Sequence, residues 1–182
     1  MPHLRSSLFA RLARDKRGVS AVEFALVAPL MVGLYLGCAE ISDGVAADRK
    51  VSLTTASIAN LAAQTTSITS TQMDNIINAS TAIIYPYSAS NLKITLSCLN
   101  IDTNKNVTVK WTRIQNGGVV GNAPPLPSAL LVANTQLIYG RVTYTYKPTI
   151  GYTITGTLTL SDQMYMMPRI TAPSYNGISC GT

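Results

Sequence analysis

The side chains able to carry chemistry are few and scattered. Histidine occurs once, at His3, inside a basic N-terminal stretch. Beyond that stretch there is no His to activate a Ser or Cys nucleophile and none to ligate a metal. The acids past residue 42 are Asp43, Asp48, Asp74, Asp102 and Asp162, isolated in sequence, with no paired-carboxylate motif. Ser90-Asn91-Leu92-Lys93 has the Ser-x-x-Lys spacing of serine acylating enzymes, but the companion Ser-Asp-Asn and Lys-Thr-Gly motifs are missing. No phosphate-loop or dinucleotide-binding glycine pattern occurs. The expectation is therefore a protein that is not an enzyme, with no metal and no cofactor.

Three other features hold more promise. Cys98 and Cys180 lie in the long polar part of the chain, where an oxidising compartment would let them pair. Closing a loop of about eighty residues would stabilise by roughly 4–5 kcal/mol in the chain-entropy picture. The alternative is two thiols. Cys38 reads as a small apolar side chain within an apolar run. Glu23 stands at the edge of that run, where a carboxylate is unusual.

The run is VSAVEFALVAPLMVGLYLGCAEI, Val19 to Ile41, uncharged from Phe24 to Ala39. At about 1.5 Å per residue it makes roughly 35 Å of helix, enough to cross a bilayer core. Pro29 lies inside it; a membrane span tolerates such a residue when neighbours re-satisfy the freed carbonyl. Arg5, Arg11, Arg14, Lys16 and Arg17 precede it, opposed only by Asp15, and place the N-terminal side in the cytoplasm. Net charge is +6, yet from Asp43 onward nine Lys/Arg are spread thinly against five Asp. That pattern favours a membrane over a nucleic acid as the reason for the basicity. Three export routes fit the run. It is a cleaved signal peptide with Val45-Ala46-Ala47 as the site, although it exceeds the usual 7–15 apolar residues. Alternatively Leu36-Gly37-Cys38 is a lipoprotein site, with Tyr35 in place of the usual Leu three residues before the cysteine. In the third route the helix is retained and only the basic leader is removed.

Gly18-Val19-Ser20-Ala21-Val22-Glu23-Phe24 bears on that choice. It resembles the processing site of type IV prepilins, with a glycine closing a basic leader and a glutamate at the fifth position after it. The longer string from Arg17 to Pro29 resembles, more narrowly, the TadE/TadG-like minor pilins, or pseudopilins, of tight-adherence (Flp, type IV-like) pilus systems. The close match covers about residues 11–45. The resemblance implies cleavage between Gly18 and Val19 by a prepilin peptidase. It further implies that Glu23 pairs with the terminal amine of a neighbouring subunit and so sets register during assembly. An acidic residue near a span's centre costs about 2.5–3.5 kcal/mol, and less near its end; the alternative is that Glu23 only snorkels to the headgroups. In the first turn it would also complement the helix dipole. Ala25, Ala28, Gly33 and Gly37 would let like helices approach closely.

The remaining elements follow from periodicity. Asp43 to about Gln64, with Val51, Ile58 and Leu61/Ala62 at helical spacing, extends the span as an amphipathic stem. Thr71-Gln72-Met73-Asp74 suggests an N-cap, followed by a helix with Met73, Ile76, Ile77, Ser80 and Ile84 on one face and an end near Pro86. Leu92, Ile94, Leu96 and Cys98, then Val107, Val109 and Trp111, alternate with polar residues across an Asp102–Asn106 turn and predict a hairpin. Gly117–Pro127 reads as a loop, and Gln136–Tyr146 and Tyr152–Leu160 as further strands. Tyr139, Tyr144, Tyr146 and Tyr152 are expected to pack as cross-strand pairs rather than form a binding platform.

The whole reads as an α+β, pilin-like chain. A basic cytoplasmic leader (1–18) precedes a transmembrane helix (19–41), a helical stem (42–66) and an extracytoplasmic α+β domain (67–182) with a short second helix and three to four antiparallel strands. The expected setting is the inner membrane and the pilus, with the membrane, other pilins, assembly machinery and a prepilin peptidase as partners and no nucleic acid. The competing reading is a membrane-anchored, adhesin-like binding module outside any pilus.

Overall fold

The computed structural model describes residues 18–118, 124–150 and 156–181. The chain divides into two compact units, Met1–Ile41 and Ser42–Thr182. Helix α1, Val19–Ala63, begins in the first and ends in the second, and it runs through Pro29 without interruption.

The second unit is an α+β domain built on a four-stranded antiparallel sheet in the order β3-β2-β4-β5. Its strands are β2 (Leu92–Ile101), β3 (Val107–Gln115), β4 (Thr135–Tyr146) and β5 (Leu158–Met166). The β2–β3 hairpin closes where the Asp102 carboxylate accepts from Asn106 N (2.7 Å) and Asn106 Nδ2 (3.0 Å). Those bonds favour the charged form and hold the Asp102 carboxyl below its ordinary pKa. The last strand differs from expectation. It runs Leu158–Met166 rather than Tyr152–Leu160, because its pairing with β4 spans Tyr146↔Leu158 to Ile138↔Met166. Residues 151–155 lie outside the described residues.

One sheet face packs against helices. Ala47, Val51, Ile58 and Ala62 of α1 are buried with Ile94, Leu96, Ile138 and Val142. Leu61, expected to share that stripe with Ala62, is only half-buried. Periodicity in apolar residues missed Thr54 and Thr55, which are fully buried. Each satisfies its hydroxyl on a carbonyl one turn back: Thr54 on Lys50 O (2.8 Å) and Thr55 on Val51 O (2.9 Å).

Helix α2, Ser70–Thr81, buries Met73, Ile77 and Ser80 on the same face, and Ile84 follows in a 3₁₀ turn. Its N-cap is Thr69, two residues before the expected one. Gln72 N donates to Thr69 Oγ1 (3.3 Å) and Thr69 N donates to Gln72 Oε1 (2.9 Å), a complete capping box. Asp74 instead accepts from Arg113 on β3 at 2.6 Å.

Part of the other sheet face is also covered. Leu99, Ile101, Leu137 and Tyr139 are buried beneath Leu126 and Leu130. The C-terminal tail is fastened at several points. Ser174–Tyr175 (β6) pairs in parallel with Ser67–Ile68 (β1), and a disulfide joins Cys180 to Cys98 of β2, with Cα atoms 5.9 Å apart. Trp111 Nε1 donates to Pro173 O at 2.9 Å beneath the same tail.

Candidate functional site: an exposed apolar helix and its glutamate

Helix α1 starts at Val19, directly after Gly18. Gly18 is exposed, and among the described residues nothing beyond its chain neighbours stands within 4 Å of where its Cβ would be. The peptide joining the two therefore sits at an accessible helix start. Glu23 is exposed one turn along, on the face below which Val19 lies. It falls just past the first turn, which holds no acidic residue, so the helix dipole helps it less than expected.

From Val19 to Ile41 the helix is apolar on every side. Eleven large apolar residues there are exposed, including Leu26 at 76% and Tyr35 at 74%. Cys38 is exposed as well, so within the chain itself it is not the buried side chain its surroundings suggested. Hiding one large apolar side chain from water is worth about 1.5–3 kcal/mol. Leaving eleven in water would cost far more than the few kcal/mol by which a domain holds together. A helix apolar all round needs lipid or other helices about it. This one is long and apolar enough to cross a membrane. Ala25, Gly33 and Gly37 recur at four-residue intervals with Pro29 among them, and nothing stands within 4 Å of a Cβ at either glycine. The row is smooth and open to a neighbouring helix.

The tyrosines form no shared platform. Tyr139 pairs with Tyr165 across β4 and β5, ring centres 5.1 Å apart, on the face covered by Leu126 and Leu130. Tyr144 and Tyr146 lie on the opposite, helix-covered face, both against Tyr87 at 6.3 and 6.2 Å. Tyr152 is outside the described residues. Sequence reasoning passed over Tyr87, whose hydroxyl donates to Asp43 O at 3.0 Å; only the closed fold joins these two.

No curated protein and no solved structure matches the chain. Residues 18–64 match the family model described as TadE-like protein. The matched segment opens on Gly18, contains Glu23 and the apolar run, and ends one residue past α1. A TadE-like segment associates the chain with tight-adherence pilus systems and with a membrane. Over residues 18–64, which carry the glycine, the glutamate and the one membrane-length helix among the described residues, the chain is similar to TadE-like proteins.

Proposed function

We propose that this chain is a minor pilin or pseudopilin in the assembly of a tight-adherence (Flp), type IV-like pilus. In this reading Val19–Ile41 waits in the inner membrane with the basic leader in the cytoplasm and the α+β domain in the periplasm. A prepilin peptidase cuts after Gly18, and the trimmed helix then packs laterally against like helices. Glu23 meets the new terminal amine of a neighbour, a charge pair that fixes axial register where both groups would otherwise be costly in lipid. The role is structural; no catalytic step is assigned to it.

The observation that carries the reading is one coincidence. A glycine at an accessible helix start, a glutamate five residues on and an all-round apolar helix fall together inside a TadE-like segment.

Two measurements test it. Intact mass of the membrane-extracted protein should show loss of residues 1–18, and an uncut N-terminus in cells that have the peptidase would remove the processing step. Deletion of the chain, or Glu23→Ala, should abolish or sharply reduce sheared pili. Normal piliation after deletion would leave the rival reading, a membrane-anchored adhesin-like module.

A further inference from the structure

We infer that the sheet face turned away from the helices binds one phosphate-type oxyanion, held between Lys93 of β2 and Arg141 of β4. The site lies wholly within the second unit and does not depend on the membrane reading of α1.

Alternation selects the residues. Ile94 and Val142 turn to the helix-covered face, so Lys93, Thr95, Arg141 and Thr143 turn to the other. Register sets Lys93 opposite Thr143 and Thr95 opposite Arg141. The two cations are therefore diagonal neighbours, their Cβ atoms about 7 Å apart. β2 and β4 are the two inner strands of the sheet, and each has a single exposed residue: Lys93 in one, Arg141 in the other. Flanking residues on this face are neutral, with Ile114 of β3 opposite Thr95 and Ser161 and Gln163 of β5 opposite Thr143 and Arg141. Asp162, the one acid in the four strands, alternates to the other face. Two like charges thus stand together with no strand carboxylate on their face to offset them.

A wall of backbone closes one side. After Gln115 the chain folds back over β2, with Asn116 and Gly117 in left-handed backbone at φ 52° and 73°. Asn116 Nδ2 donates to Leu92 O (3.1 Å) and Gly118 N to Gln115 O (3.3 Å). A Cβ on Gly118 would collide with Ile94 O and stand 2.6 Å from Thr95 Oγ1, so glycine alone allows this approach. Between wall and sheet lies a hollow of about 190 Å³, lined by Lys93, Thr95, Gly117, Gly118, Arg141 and Thr143. At about 30 Å³ per water that is room for roughly six waters. It suits a single compact group and falls short of the roughly 300 Å³ at which pockets for larger organic ligands begin.

The donors fit that group. Arg141 lies beside the Tyr139 hydroxyl, which itself donates to Gln163 Oε1 at 3.1 Å, so the guanidinium has a neighbour that limits its swing. Its fork can give two hydrogen bonds to one oxyanion, and the Lys93 ammonium adds a point charge from the diagonal corner. The Thr143 hydroxyl adds a neutral donor. Donors on several sides favour an anion with oxygens in several directions, a phosphate group, over a planar carboxylate.

The test is calorimetric titration of the full chain in neutral detergent, at pH 7 and constant ionic strength. Inorganic phosphate and methyl phosphate are the two probes; the tighter of them tells whether the group is taken free or as an ester. One should bind saturably at one site per chain, with acetate at least fivefold weaker. Lys93→Gln and Arg141→Gln should each weaken binding at least fivefold, and the double variant should abolish it. Arg141→Lys, which keeps the charge and loses the fork, serves should Arg141→Gln fold poorly, and should also weaken binding. Lys105→Gln, an exposed cation in the turn at the far end of β2, should change nothing. Absence of saturable binding would overturn the inference. So would binding that survives the double variant, or acetate binding as tightly as phosphate.

Discussion

Gly140 on β4 lies directly under Ala59 of α1: a Cβ added to the glycine would approach the alanine Cβ to 3.3 Å, with Thr55 O 3.6 Å away. Here helix and sheet touch backbone to backbone, because a glycine faces a helical patch of alanine and threonine. Gly44 offers the opposite case. Its missing Cβ would meet Tyr146 Cε1 at 3.8 Å, an ordinary contact, and it sits mid-helix, where glycine is a poor helix former.

The two glycines should therefore respond in opposite directions. Gly140→Leu must push the helix from the sheet and should destabilise the domain by about 1–3 kcal/mol. Gly44→Ala should stabilise by up to about 1 kcal/mol. Denaturant unfolding of the detergent-solubilised chain measures both. Equal effects at the two sites would show that the close approach at Gly140 does not hold in solution.

The Cys98–Cys180 bond closes a loop of 82 residues and fixes a tail whose strand pairing to the rest of the domain, among the described residues, is two residues long. Reduction, or the double change Cys98→Ala with Cys180→Ala, should cost about 2–5 kcal/mol. Limited proteolysis should then cut first between Met167 and Cys180, with the sheet cut later. Cleavage elsewhere would mean that the bond supports a different part of the fold.

How much of this was legible in the sequence depends on the range over which each feature is encoded. Gly18, Glu23 and the apolar run are neighbours in the chain, and the span reads directly from them. The β2–β3 hairpin is also local, with alternation on both sides of an Asp102 turn. Alternation misleads from Leu99 onward, since Leu99 and Ile101 enter a second core under Leu126 and Leu130 and no wet face remains to mark the period. The true N-cap was masked by a run of Ser and Thr in which several residues could serve, and reciprocity between Thr69 and Gln72 decided it. The contact of Asp43 with Tyr87 joins residues 44 apart, and that of Gly44 with Tyr146 joins residues a hundred apart. No local pattern announces either.

The capping box makes a sharper claim than its single bonds do. Thr69→Ala removes one acceptor and should cost about 0.5–2 kcal/mol. Gln72→Ala should cost less, because Thr69 Oγ1 still accepts from the backbone at position 72. If the two side chains act reciprocally, the double variant should lose less than the sum of the single losses. A double-mutant cycle on unfolding free energy measures that coupling. Strict additivity would mean that the two bonds form independently.

The last prediction concerns alkaline pH. Burial raises the pKa of Tyr87 above its ordinary value, and the nearby Asp43 carboxylate and then Tyr144 raise it further. Burial likewise raises Tyr165, with Tyr139 adding to it, and raises Tyr139 against the opposing pull of Arg141. In each case the folded state binds the phenolic proton more tightly than the unfolded chain does. The stabilisation is therefore complete below the unfolded value near 10 and falls as pH rises through the folded values. The domain should lose stability as pH climbs past about 10, while its tyrosinate absorbance lags that of the unfolded chain. Tyr87→Phe should remove part of that loss, because a ring that cannot ionise has no proton to give up. It should also weaken the domain at neutral pH by about 0.5–1.5 kcal/mol, through the hydrogen bond from its hydroxyl to Asp43 O. An alkaline stability profile identical to that of the unsubstituted chain would show that Tyr87 ionises as freely in the fold as outside it.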